Sequence, residues 1–199
     1  MRHARRMRLG IDLDGVVAQF NRGWMARHAE EFGTDLDPSM IVGWDALHSV
    51  GGFPDMDAFW HWFRNGSGPS GFRHLEPYPT AIETLQRLAG QGYDIVVLTH
   101  KFDWAVADTF AWLSDVGMPS REVHILEDKH TVSCDVYLDD SPIVLPRIAA
   151  ARPDALTCRF VRPWNDPVAG VTDVEDWAAF ETIVTRHSQP PRGRPFVLG

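Results

Sequence analysis

Residues 8–15 read RLGIDLDG and residues 134–140 read CDVYLDD. In both, a short apolar run ends directly in paired acids. Apolar runs of roughly four to eight residues that stop at charge read as buried strands. Asp12 and Asp14 stand at i and i+2, so on an extended chain they project from one side. Asp139 and Asp140 are adjacent, so on a strand they face opposite ways and only one shares a cation with Asp12. Asp140 then supports the site by orienting a ligand or capping the helix at Pro142. Either pair alone reads as an ordinary acidic turn. Two such pairs crowd carboxylates together, and a hard cation such as Mg²⁺ relieves the crowding.

Working outward, residues 93–98, YDIVVL, read as a strand running into Thr99. Further strands are expected at 122–126 and 156–161, besides 8–13 and 134–138. Helical spacing of apolar residues (Ile82, Leu85, Leu88) predicts a helix over 80–90, and others over 103–116, 142–151 and 174–186. Strands alternating with helices predict an α/β fold, a Rossmann-like doubly wound parallel sheet with its site at the carboxyl ends of the strands. Between the first two strands lies a stretch of another character. Ten aromatic residues fall between Phe20 and Phe72, enough for a small core of their own or a ligand surface. Short helices are expected there around 20–32, 38–48 and 55–64, broken by Gly and Pro. The chain thus divides into a core of residues 1–15 and 77–187, a helical cap of 16–76, and a Pro-, Gly- and Arg-rich tail, 188–199, expected to be flexible.

The formal net charge is −8, which argues against a broad basic surface for a nucleic-acid polymer. A local pocket for a small phosphorylated ligand is still compatible with it. Cys134 and Cys158 form no CxxC pair and no disulfide framework, which favours a reducing compartment. The longest aliphatic run, Ile95–Leu98, is far short of a membrane span, and no segment reads as a signal peptide. A soluble cytoplasmic protein is expected. Gly66, Gly68 and Gly71 spell GxGxxG but join no strand to a helix. The nine histidines show no zinc spacing. Phe110, Trp112 and Trp177 are expected to fill helix–sheet contacts.

Thr99 after its strand and Lys129 before the second acidic strand complete an ordered set: DxDG, Thr, Lys, DD. In that order and strand context the chain resembles the haloacid dehalogenase superfamily of phosphohydrolases. The resemblance implies Asp12 as nucleophile, an aspartyl-phosphate intermediate, and Asp14 as general acid and base. It also implies Mg²⁺ held by the Asp12 carboxylate, the Asp14 carbonyl and Asp139, with Thr99 and Lys129 on the transferred phosphoryl group.

Within that superfamily the segments DLDGVVAQF, FRHLEPYPTA, KFDWAV, DKHTVSCDVYLDDSP and VEDWAAF are similar to the 5′(3′)-deoxyribonucleotidase family. That likeness implies a third phosphate contact at Lys101, substrate contacts at Phe20 and Phe72, and a homodimer. The family usually carries Thr-Ser-Pro and a longer loop where this chain has Thr99-His100-Lys101. The expected activity is hydrolysis of phosphate monoesters, first of all nucleoside monophosphates. A phosphatase for another metabolite, such as a sugar phosphate, and a non-catalytic phosphate-binding module are the competing readings. Of the remaining cap aromatics, Trp24, Trp44, Phe59 and Phe63 are expected to form the cap's own core, with Trp60 and Trp62 weaker candidates for substrate contact.

Overall fold

The computed structural model describes residues 5–66 and 68–188. The expected tail lies outside the described residues except for Ser188. Six strands form one parallel sheet: β1 (Arg8–Ile11), β2 (Asp94–Thr99), β3 (Glu122–Ile125), β4 (Val136–Asp139), β5 (Leu156–Phe160) and β6 (Thr172–Val174). Their order is β3-β2-β1-β4-β5-β6, so the direction of winding reverses between β1 and β4. In such sheets the strand order opens a crevice at the carboxyl ends where the winding reverses. That is where both pairs of acids emerge.

The helices bury the residues their spacing selects. In α4 (Ala81–Gly90) these are Ile82, Leu85 and Leu88. In α7 (Trp177–His187) they are Trp177, Phe180 and Val184, and the Asp176 carboxylate caps the helix by accepting from the Ala179 N–H. Helix α5 (Val106–Asp115) buries Trp112, whose indole N–H donates to the Leu75 carbonyl at 2.6 Å. Phe110 of the same helix is half exposed, a departure from the expected sheet contact. Helix α6 (Val144–Ala151) follows β4.

Residues 16–76 hold α1 (Phe20–Phe32), the single turn α2 (Leu47–Val50) and α3 (Met56–Arg64). No helix spans 38–48: a short 3-10 turn at Pro38–Met40 stops at Ile41, whose backbone is extended, and the chain stays irregular to Ala46. Trp24, Phe59 and Phe63 are buried as expected. They belong to one apolar cluster that also contains Leu9, Ile11 and Leu85, so the stretch is packed continuously onto the sheet. The three-residue edge strand β6 has too little apolar pattern to be read from sequence. Among the described residues no helix is long and apolar enough to cross a membrane.

Candidate active site

Strand β1 ends at Ile11, and Asp12 still donates its N–H to the Leu138 carbonyl at 3.0 Å. The first acid is therefore fixed by the sheet while standing beyond it. The chain then turns tightly, with the Leu13 carbonyl accepting from the N–H groups of Val16, Val17 and Ala18. Gly15 takes φ +79°, and a Cβ there would lie 2.0 Å from the Asp140 carboxylate. Only glycine meets both demands.

Strand β4 delivers Asp139 and Asp140, both buried. Oxygen atoms of Asp12, Asp139 and Asp140 all lie within 4.8 Å of one another. This corrects the strict alternation expected from sequence. Ladder pairing stops at Asp139, so Asp140 has left the strand and turns back toward Asp12. Trp164 donates its indole N–H to Asp140 Oδ2 at 2.8 Å, and Asn165 donates Nδ2 to the Asp140 carbonyl at 2.7 Å. Asp140 Oδ1 is buried without a partner among the described residues.

Lys129 is buried between two of these acids, its Nζ 2.8 Å from Asp12 Oδ1 and 2.7 Å from Asp139 Oδ2. Asp139 Oδ1 accepts from the Ser141 N–H at 2.8 Å. Lys101 is buried too, ion-paired with Asp14 and 3.9 Å above the centre of the Phe72 ring. The short Thr99-His100-Lys101 loop thus still delivers its lysine to the acids. The Thr99 hydroxyl and Asp14 Oδ1 are buried and have no partner among the described residues.

Burial raises the carboxyl groups of Asp139 and Asp140, and the neighbouring Asp12 charge raises them further. Burial also raises Asp14, against the opposing pull of Lys101. Burial pulls the Lys129 ammonium down, but Asp12 and Asp139 outweigh it and hold the group above the usual lysine range. With every group ionised, four carboxylates would face two ammonium groups, an excess equal to the charge of one divalent cation. The oxygen-only donors and the orphaned Asp140 Oδ1 suit a hard cation such as Mg²⁺.

This predicts a pH effect on stability. Carboxyl groups raised in the folded state keep protons that the unfolded chain has released, so the stability these groups contribute is greatest below the ordinary carboxylate value of about 4 and is lost as pH rises through the raised values. In chelator-treated protein the unfolding temperature is expected to drop between pH 5 and pH 8, and added Mg²⁺ to flatten the drop. A profile unaffected by Mg²⁺ would remove the cation from this cluster.

A cavity of about 470 Å³ opens above the acids. Asp12, Asp14, Thr99, Lys101 and Lys129 line its floor, and Phe20, Phe72 and Trp60 its wall. Phe20 and Phe72 stack at 5.8 Å and 24°. Thr99, Lys101, Lys129, Phe20 and Phe72 therefore meet at one cavity, as does Trp60, with Asp139 and Asp140 packed against Asp12. Trp44 is 41% exposed and stands at the cavity rim, where sequence had placed it in the cap core. Trp62 instead packs against Arg27, 4.5 Å from its ring centre. Sequence reading missed Arg162, Trp164 and Asn165, whose only signal was a Pro-Trp-Asn run following a strand.

This fold and this carboxyl-end acid cluster define a haloacid-dehalogenase-type α/β protein. Solved structures agree: a haloacid-dehalogenase-family hydrolase from Deinococcus radiodurans, with bound phosphate and sodium, superimposes with a TM-score of 0.61 at 15% identity, covering 92% of this chain and 97% of its own. The Bacillus subtilis protein YfnB in its magnesium-bound form gives 0.60 at 12% identity, covering 91% and 99%. The family model for "5′ nucleotidase, deoxy (Pyrimidine), cytosolic type C protein" matches residues 5–189, and the chain belongs to that family of phosphoric monoester hydrolases. A 5′(3′)-deoxyribonucleotidase from Clostridium acetobutylicum is 29% identical over 147 residues, 69% of this chain and 74% of its own. The human mitochondrial 5′(3′)-deoxyribonucleotidase is 27% identical over 153 residues, and the match covers 69% of this chain and 64% of the human protein. The chain thus spans less than two thirds of the human relative's length.

Proposed function

We propose that this chain is a Mg²⁺-dependent 5′(3′)-(deoxy)ribonucleotidase that hydrolyses nucleoside monophosphates through an aspartyl-phosphate on Asp12. The observation that carries the reading is the cavity itself, which acids, lysines and aromatic rings line together. A phosphate ester joined to a planar base offers partners for both kinds of side chain.

In this mechanism an Asp12 carboxylate oxygen attacks phosphorus and the P–O bond to the sugar breaks. Asp14 gives its proton to the departing alkoxide, a role favoured by its raised proton affinity. Asp14 then takes a proton from water as that water attacks the Asp12-bound phosphoryl group, which frees orthophosphate and restores Asp12. Thr99, Lys101 and Lys129 hold phosphoryl oxygens, and the buried, unpartnered Thr99 hydroxyl is available for that contact. The Asp12 and Asp139 carboxylates and the Asp14 carbonyl, with Asp140 in support, would hold Mg²⁺, which when bound would supply charge neutralisation at the phosphoryl group. Residues 16–76 act as the cap over a core of 1–15 and 77–187, excluding water from the reaction. A homodimer in the cytoplasm is part of the proposal through the family likeness.

The test is phosphate release, with and without Mg²⁺, over a panel of nucleoside monophosphates and sugar phosphates. Nucleotides are expected to lead. A lead by sugar phosphates would move the assignment to another metabolite, and no turnover of any ester would favour a binding module. Base stacking on an aromatic side chain is worth about 1–3 kcal/mol. At the exposed rim, Trp44→Ala is therefore expected to lower kcat/KM for nucleotides roughly tenfold while sparing ribose phosphate. Equal losses on both would remove Trp44 from base contact.

A further inference from the structure

Residues 16–76 leave the sheet after Gly15 and return at Pro77 and Tyr78. The two passages are tied to each other: Tyr78 N–H donates to the Val17 carbonyl at 2.7 Å and Gln19 N–H to the Glu76 carbonyl at 2.9 Å. Arg162, from the loop after β5, stands against both. Its Nε donates to the Gly15 carbonyl at 2.6 Å. Its guanidinium carbon lies over two rings, 4.2 Å from the centre of Tyr78 and 4.0 Å from that of Phe160, which are themselves 6.4 Å apart.

This charge is not placed for an ion pair. The only other hydrogen bond it makes among the described residues runs from Nη1 to the Val161 carbonyl at 3.3 Å, and Nη2 is buried without a partner. A half-buried charge with no carboxylate in ion-pair contact is costly, and an apolar side chain would cover the two rings at less cost. Such a side chain would lose the grip on Gly15. That residue is bonded to Asp14 and turns the chain through its positive φ, so its orientation sets where the Asp14 carboxyl points.

We infer that Arg162 is a positioning residue: by holding the Gly15 carbonyl and the Tyr78 ring together, it fixes the angle at which Asp14 enters the cavity. The inference rests on the proton-transfer role proposed for Asp14. A displaced acid harms esters with poor leaving groups and spares those whose leaving group needs no proton.

The test uses the full chain with Mg²⁺, comparing wild type with Arg162→Met and Arg162→Lys. Lysine retains charge but lacks the flat fork that both bonds Gly15 and stacks. In both variants kcat for a nucleoside monophosphate is expected to fall by about 10- to 100-fold, with 4-nitrophenyl phosphate affected less than about threefold and KM little changed. Equal kcat losses on both esters would overturn the inference. Hydrogen exchange provides a readout independent of turnover. The Gly15, Ala18 and Tyr78 amides are expected to exchange at least about tenfold faster in both variants, with Val184 in α7 unchanged; unchanged exchange at the passages would also overturn it. If wild type hydrolyses 4-nitrophenyl phosphate but no nucleotide, the nucleotidase reading fails, while the exchange experiment still decides the role of Arg162.

Discussion

Asp12→Asn is expected to reduce phosphate release by about 10⁴-fold or more at saturating Mg²⁺, the scale typical of removing a covalent nucleophile. The amide is a poor nucleophile and a weaker cation ligand, so both roles proposed for the group go at once. The fold should survive. Asp12 is one of three buried carboxylates clustered within 4.8 Å, and without its charge Lys129 still has Asp139 at 2.7 Å. The unfolding temperature of chelator-treated variant is therefore expected to equal or exceed that of wild type, because a like-charge neighbour has been removed. Phosphate release near the wild-type rate would end the assignment of Asp12, and a large drop in unfolding temperature would show the cluster to be balanced differently from this account.

Lys129→Met has the opposite balance. It leaves Asp12 and Asp139 buried without their shared counterion. Breaking a buried pair by removing one partner costs about 3–5 kcal/mol, which for a chain of this length lowers the unfolding temperature by roughly 6–20 °C. Turnover should also fall steeply, since the same ammonium is proposed to hold a phosphoryl oxygen. Two controls separate the effects. The stability loss should shrink as pH falls and the orphaned carboxylates take up protons. It should also shrink on adding Mg²⁺, which binds the folded state by mass action. A loss below about 1 kcal/mol, typical of exposed pairs, would mean that Lys129 is not the counterion described here.

Asp12, Asp14, Asp139, Thr99 and Lys129 were legible in the sequence because each stands at or near the end of an apolar strand. Strand ends on one side of a parallel sheet converge whatever the loops do. Phe20 and Phe72 were legible for a related reason, since they flank the two passages nearest the acids. Trp44 was misplaced because an aromatic in an irregular stretch has no period that tells inside from outside. The expected helix at 38–48 failed at Ile41, where extended backbone ends the 3-10 turn.

The sequence by itself determined the α/β class, the placement of the acids at strand ends and the crowding of carboxylates there. Those follow from local rules: apolar runs bounded by charge, helical spacing, and the cost of crowding carboxylates. Tertiary structure alone decided that Asp140 turns back to join Asp12, because that depends on where the β4 ladder stops. It alone brought Lys101 onto Asp14 and the Phe72 ring. It alone set Arg162 against Gly15 and Tyr78, and Trp164 against Asp140. These partners are 24 to 147 residues apart in the chain, and no periodicity links them. They meet because the sheet reverses its winding between β1 and β4, and that reversal gathers distant loops around one crevice.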